Sequence, residues 1–218
     1  EEIQQALAEE GLADQFHPSY TRMVPAHYIV EITLIGCPDP SPVNKRFFTP
    51  QRNEHTTDLD EIGRMYMGKV AQELNAWLDH VPADEPLGVL FSGGIDSGAV
   101  LLLLNHLLLQ RGESPARLKA FTLSVAGTSS DATNAKQFLD ETNLSMLLEV
   151  IDVTAEQVDF REAIRIIEDY KPLDVQSATM AWALMKQIRQ QYPDWKYLVD
   201  GDGGDENLKD YPIEDNPE

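Results

Sequence analysis

The chain holds one cysteine, Cys37, so its 218 residues build neither an intramolecular disulfide nor a cysteine-based metal centre. Cys37 reads as an idle thiol. The five histidines are scattered without HxH or HxxxH spacing, which argues against a histidine metal site. Basic residues are scarce: 17 Lys and Arg face 37 Asp and Glu, for a net charge of −20. A polyanion would be repelled by such a surface, and no Lys/Arg cluster offers a local exception, so the charge argues against nucleic acid as a partner. Long apolar runs are also missing. The run at 99–104 is too short to span a bilayer and is broken by Asn105 and His106, which excludes membrane insertion. The opening EEIQQALAEE is acidic and unlike a signal peptide. These absences fit a reducing cytoplasm.

What is present divides into two textures, a segment 1–55 and a domain 56–218. In the first, IQQALAEE reads as a short helix. MVPAHYIVEITLIG and VNKRFFTP read as paired strands around the turn-rich CPDPSP. His27, Ile29, Glu31 and Thr33 alternate with Tyr28, Val30, Ile32 and Leu34, which predicts one buried face. From Thr57 the period changes. Ile62, Met65, Tyr66, Val70, Leu74 and Leu78 share a helical face, with Thr57 or Asp58 as N-cap. Strands follow at LGVLF, LKAFTLSV, MLLEVIDV and KYLVD, and helices at 97–111, 131–142, 155–169 and 177–191. Apolar strands without polar alternation, spaced by helices, predict an α/β fold: a parallel sheet with helices on both faces.

The stretch VLFSGGIDSGAV, 89–100, holds the chemistry. An apolar strand delivers the chain to the carboxyl edge of the sheet, where open α/β folds bind ligands. Gly93 and Gly94 allow a tight turn and close approach of the backbone. A helix beginning near Ser97 points its N–H groups at the same place, which makes an anion cradle. No lysine follows, so the loop is not the GxxxxGK[ST] of kinases and GTPases, and its adjacent glycines are not GxGxxG. A second loop, DGDGGDE at 200–206, interleaves acids with glycines at a strand end. Magnesium takes one or two carboxylates plus phosphate oxygens, and Asp96 and Asp205 on neighbouring strand ends would supply them. Glu206 is less defined. Asp131 reads as a helix N-cap, with a place beside the bound ligand as the alternative. Lys171 and Lys186 are candidate polyphosphate contacts, though nothing in the pattern singles them out.

SGGIDS resembles the SGGxDS loop of the N-type ATP pyrophosphatases, which include asparagine, GMP, NAD and argininosuccinate synthetases and several tRNA-modifying enzymes. LVDGDGGDENLKDY, 198–211, resembles the SGEGSDE…GY segment of the asparagine synthetases and their β-lactam-forming relatives. The hairpin at 23–50 is similar to the one that ends the glutaminase domain of those enzymes, and DLDEIGRMYMGKVAQELNAWL to the helix before their ATP loop. The likeness runs from about Pro25 to Tyr211. Gly98 stands where a second serine is usual, Asp200 for serine, Asp202 for glutamate, and Lys209 and Asp210 for two glycines.

The resemblance implies an adenine nucleotide alpha hydrolase-like (Rossmann-like) fold and an ATP-dependent carbon–nitrogen ligase. An amino-acid carboxylate would be activated as an acyl-adenylate with release of pyrophosphate, then trapped by ammonia or another amine with release of AMP. It implies ATP and Mg2+ as cofactors. Asp96 and Asp205 would be the catalytic and metal-binding residues. Leu90, Ser92, Gly93, Gly94, Ile95, Asp96, Ser97, Leu123, Gly201 and Asp202 would bind the nucleotide. A separate glutaminase is one source of the ammonia, and self-association is open. A catalytically silent nucleotide-binding module and a tRNA-modifying pyrophosphatase remain as alternatives. Cys37 has no neighbouring cation to activate it, so no glutamine hydrolysis is expected. The chain is expected to be part of a longer synthetase, with an apolar surface beside the second loop.

Overall fold

The computed structural model describes residues 27–32, 43–49, 56–127 and 129–204. The expected N-terminal helix, the CPDPSP turn with Cys37, and Asp205, Glu206 and the segment up to Tyr211 lie outside these residues. The chain divides into two compact units, Glu1–Ile62 and Gly63–Glu218.

The first unit contains an antiparallel pair, β1 (Tyr28–Glu31) and β2 (Val43–Arg46), with Tyr28 opposite Arg46. Tyr28 and Val30 form a half-buried face, while Ile29 and Glu31 are exposed. The period-2 alternation is therefore present, but its inner face is only partly covered. Glu31 pairs with Lys45 across the strands at 2.6 Å.

Helix α1 (Leu59–Leu78) begins in the first unit and continues into the second. Asp58 is its N-cap, its carboxylate accepting from the Asp60 N–H at 2.9 Å and from the Glu61 N–H at 3.3 Å. On the expected apolar face Tyr66, Val70, Leu74 and Leu78 turn inward. Met65 is exposed and Met67 is half-buried in its place.

The second unit is a four-stranded, all-parallel sheet. Its strands are β3 (Leu87–Leu90), β4 (Leu118–Val125), β5 (Leu148–Val153) and β6 (Tyr197–Val199), in the order β5-β4-β3-β6. Helix α2 (Ile95–Gln110) follows β3, α3 (Ser130–Glu141) follows β4, and α4 (Phe160–Ile167) and α5 (Pro172–Gln191) lie between β5 and β6. Because strand side chains alternate, the sheet has two apolar faces. On one face Leu87, Val89, Leu118 and Ala120 pack with Leu101, Leu104 and Leu108 of α2 and with Ala135 and Leu139 of α3. On the other, Phe121, Ile151 and Val153 pack with Leu184 and Ile188 of α5 and with Trp195. Helices thus cover both faces, as the apolar strand pattern predicts.

Four helix starts differ from the sequence reading. Helix α2 starts at Ile95, two residues before Ser97. The expected helix 155–169 is a 3-10 turn at Ala155–Gln157 followed by α4, which starts at its own N-cap, Asp159. Helix α5 starts at Pro172, five residues earlier than expected, with the proline in the first turn where its missing N–H costs nothing. The cap of α3 is Ser129, whose hydroxyl accepts from the Ala132 N–H at 3.4 Å; Asp131 sits inside the first turn. Near the amino ends of β4 and β5, the Glu149 carboxylate accepts from Tyr192 Oη at 2.6 Å and from Lys119 Nζ at 2.7 Å. Among the described residues no helix is long and apolar enough to cross a membrane.

Candidate active site

A cleft of about 360 Å3 opens at the carboxyl ends of β3, β4 and β6. One side is the chain leaving β3: Leu90, Phe91 and Ser92, then Asp96 and Ser97 in the first turn of α2. Leu123 of β4 lines it, with Ser129 and Asp131 at the start of α3. Met180, Ala181, Leu184 and Met185 of α5 form an apolar wall, and Asp200, Gly201 and Asp202 after β6 close it.

The glycine loop is fixed by its own serines. Ser97 is buried. Its hydroxyl lies 3.2 Å from that of Ser92 and donates to the Gly94 carbonyl at 3.4 Å. The Ser92 hydroxyl accepts from the Gly94 N–H at 3.3 Å. Behind the loop, the Phe91 N–H donates to the Phe121 carbonyl at 2.8 Å, and the buried Thr122 hydroxyl donates to the Phe91 carbonyl. The β3–β4 pairing is thereby carried up to the first loop residue. Gly94 is the N-cap of α2 and has no side chain to cap it. The partial positive charge of the helix start therefore faces the loop without a side-chain acceptor at the cap.

The glycines serve different contacts. Gly93 has φ +79°, and a Cβ there would lie 2.4 Å from the Ala135 nitrogen of α3. Its requirement is close packing on a neighbouring helix in a left-handed conformation. Gly94 has φ −78°, an ordinary extended conformation. A Cβ on Gly98 would lie 2.8 Å from the Phe138 ring, which occupies the space a side chain would take. Gly201 lies against the first loop: a Cβ would be 2.5 Å from the Ser97 nitrogen. The two loops, far apart in sequence, are thus in direct backbone contact.

Of the residues expected to bind a nucleotide, Leu90, Ser92, Asp96, Ser97, Leu123, Gly201 and Asp202 line one cleft. Gly93 and Gly94 are not among its lining residues. Ile95 points elsewhere: it is 83% exposed and borders a separate apolar groove with Met67, Ala99, Leu102, Leu103 and Phe138. Asp205 lies outside the described residues. Phe91, Ser129 and the α5 wall were not expected from sequence. Met180 with Leu184, and Ala181 with Met185, have the i, i+4 spacing of one helix face, which sequence alone reads as core. Lys171 is engaged by Asp169 and Asp174, which raise its pKa, and Lys186 by Glu162 at 2.7 Å.

The charged residues lining the cleft, among those described, are Asp96, Asp131, Asp200 and Asp202, all acidic. No group of three or more His, Cys, Asp or Glu is arranged to hold a metal among the described residues.

Residues 69–218 match the family model for asparagine synthase. The chain belongs to the asparagine synthase family. A curated relative in this family is a probable glutamine-hydrolyzing asparagine synthetase of Acanthamoeba polyphaga mimivirus, 28% identical over 127 residues. That alignment covers 57% of the chain and 22% of the relative, so the chain spans about a fifth of the relative's length.

Proposed function

We propose that the cleft binds ATP and activates an amino-acid carboxylate for amide formation, in the manner of asparagine synthetases. The carboxylate oxygen attacks the α-phosphorus as the bond to the β-phosphate oxygen breaks, giving an acyl-adenylate and pyrophosphate. An amine, ammonia in the simplest case, attacks the acyl carbon, AMP leaves with the bonding electron pair, and the amine loses a proton.

The observation that carries this reading is the contact between the two loops. Gly201 rests on the amide of Ser97, so the uncapped helix start and the acidic loop face one cleft. Family membership supports it. Ser92 to Ser97, including the backbone of Gly93, Gly94 and Ile95, would hold the departing pyrophosphate, while Leu90 and Leu123 would pack on the adenine. Positioning and charge neutralisation would be the protein's main contributions.

Polyphosphate repels a cleft lined by four aspartates. A divalent cation is the natural remedy. Asp96, together with Asp205 of the second loop, would hold magnesium, which neutralises charge on the leaving phosphates. In this reading residues 56–218 form the synthetase domain and 1–55 the end of a glutaminase-type segment, with a separate glutaminase as one source of ammonia.

ATP–pyrophosphate exchange across a panel of amino acids, with phosphorus NMR of the products, tests the assignment. AMP and pyrophosphate are expected; ADP with orthophosphate would overturn it. A second reading, a nucleotide-binding module without chemistry, is favoured by the lack of any Lys or Arg among the described residues lining the cleft. ATP binding without exchange for any acid would select it.

A further inference from the structure

Gly204 belongs to the second loop, and its position constrains the glycine loop. A Cβ on it would lie 2.3 Å from Oδ1 and 2.6 Å from Cγ of Asp96. The Asp96 carboxylate therefore occupies the volume that any side chain at 204 would fill.

We propose that Gly204 is a positioning residue that sets where the Asp96 carboxylate points in the cleft; the proposal rests on the nucleotide reading above. A Cβ on Gly201, in the same loop, would lie 2.5 Å from the Ser97 nitrogen, so a side chain there must displace main chain of α2. Gly204 meets only the far end of a side chain. The carboxylate can swing aside by rotating χ1 and χ2, at small cost to the fold. It cannot swing aside and keep its place. Gly204 also lacks the positive φ that its neighbour Gly203 has, so alanine at 204 brings no left-handed strain. The two glycines thus separate by sign: one governs the fold of the loop pair, the other governs a carboxylate.

The test is a double-mutant cycle with Gly204→Ala and Asp96→Ala, read by Mg·ATP affinity and by thermal melting without nucleotide. Gly204→Ala should melt close to the wild type and weaken Mg·ATP binding about tenfold or more, the scale of a displaced charged contact. The double variant should bind no more weakly than Asp96→Ala alone, because the residue that Gly204 positions is already gone. Binding by Gly204→Ala within about twofold of wild type would overturn the proposal. So would a double variant that loses the product of both single effects, since Gly204 would then act independently of Asp96. A wild type that binds no Mg·ATP would overturn the nucleotide reading instead. The positioning is then decided by the 13C carboxyl resonance of Asp96, identified by its loss in Asp96→Ala. A resonance that shifts in Gly204→Ala supports the proposal, and one that stays fixed rejects it.

Discussion

Alanine at Gly93 should damage the fold of the loop before it damages ligand binding. Sequence alone suggests the opposite, that both glycines of the pair exist to let phosphate approach. At φ +79°, alanine carries the left-handed penalty of about 1–2 kcal/mol. Its Cβ would also fall 2.4 Å from the Ala135 nitrogen and 2.5 Å from the Asn134 carbonyl carbon. Those are backbone atoms of a helix whose Ala135 and Leu139 are fully buried, so relief requires moving α3 away from the sheet. Overpacking of this kind costs about 1–3 kcal/mol. Together the two effects remove about 2–5 kcal/mol from a total that is typically about 5–15. For a chain of this size that is a fall in melting temperature of roughly 5–15 °C. Gly94→Ala is the internal control. Its φ of −78° suits any residue, and its nearest neighbour would be the Ser92 hydroxyl at 3.3 Å. Its cost should stay below about 1 kcal/mol, an N-cap effect. Thermal unfolding by circular dichroism compares the two. A Gly93→Ala variant that melts with the wild type, or a Gly94→Ala variant that falls as far, refutes the division of labour between the two glycines.

Three other outcomes are expected. Asp96→Asn should leave melting unchanged within about 2 °C, as for a partly exposed group, and lower ATP–pyrophosphate exchange about a hundredfold or more; unchanged exchange removes Asp96 from the site. Gly201→Ala should lower both melting temperature and Mg·ATP affinity, because its Cβ meets the Ser97 backbone; normal values for both would show that the loops do not pack. The third concerns pH. The hydrogen bond to Glu149 is the main cause that pushes the Tyr192 hydroxyl from its ordinary 10.0 up to about 12. A raised pKa means that the folded state holds the proton more tightly, so this stabilisation is complete below pH 10 and is lost as pH rises toward 12. Burial alone would raise the Glu149 pKa, but the bonds from Lys119 and Tyr192 outweigh it and leave it lowered. Its contribution is lost as pH falls below the ordinary 4.5. Tyr192→Phe should therefore flatten the loss of stability between pH 10 and 12 in denaturant melts, and an unaltered profile would refute the coupling.

The strands were legible because each is a short apolar run bounded by breaks: LKAFTLSV matches β4 residue for residue. The central strands are buried on both faces and read as apolar runs, while edge strand β5 keeps Glu149 and Asp152 within its run. Helix starts were harder. The first turn of α5, PLDV, is mostly polar-flanked and adds little to the apolar period, although Pro172 itself marks a first turn. Asp131 and Ser129 are both good caps in isolation, and only the backbone decides between them. In the cleft, the residues near SGGIDS and the second loop were legible because local chemistry announces them. The α5 wall was not, because Met180 and Met185 look like core until the fold opens a cavity beside them. Gly93 carried the right residue type for a reason that only tertiary packing reveals.

The strand order has a consequence for how the protein is made. β3 pairs with β4, its immediate successor, but its other neighbour is β6, with α2 through α5 intervening. Pairings between distant segments form late, because the loop they close costs entropy before any contact rewards it. On a ribosome the glycine loop and its helix emerge long before residues 197–202 exist. Until β6 docks, Ser97 has no Gly201 against it and the cleft lacks Asp200, Gly201 and Asp202. A ligand that needs both loops would thus bind only once β6 has docked. A ligand at a hundred times its dissociation constant adds about 2.7 kcal/mol to the state that binds it. Here that state has β6 in place, so a folding intermediate with β6 undocked would gain nothing.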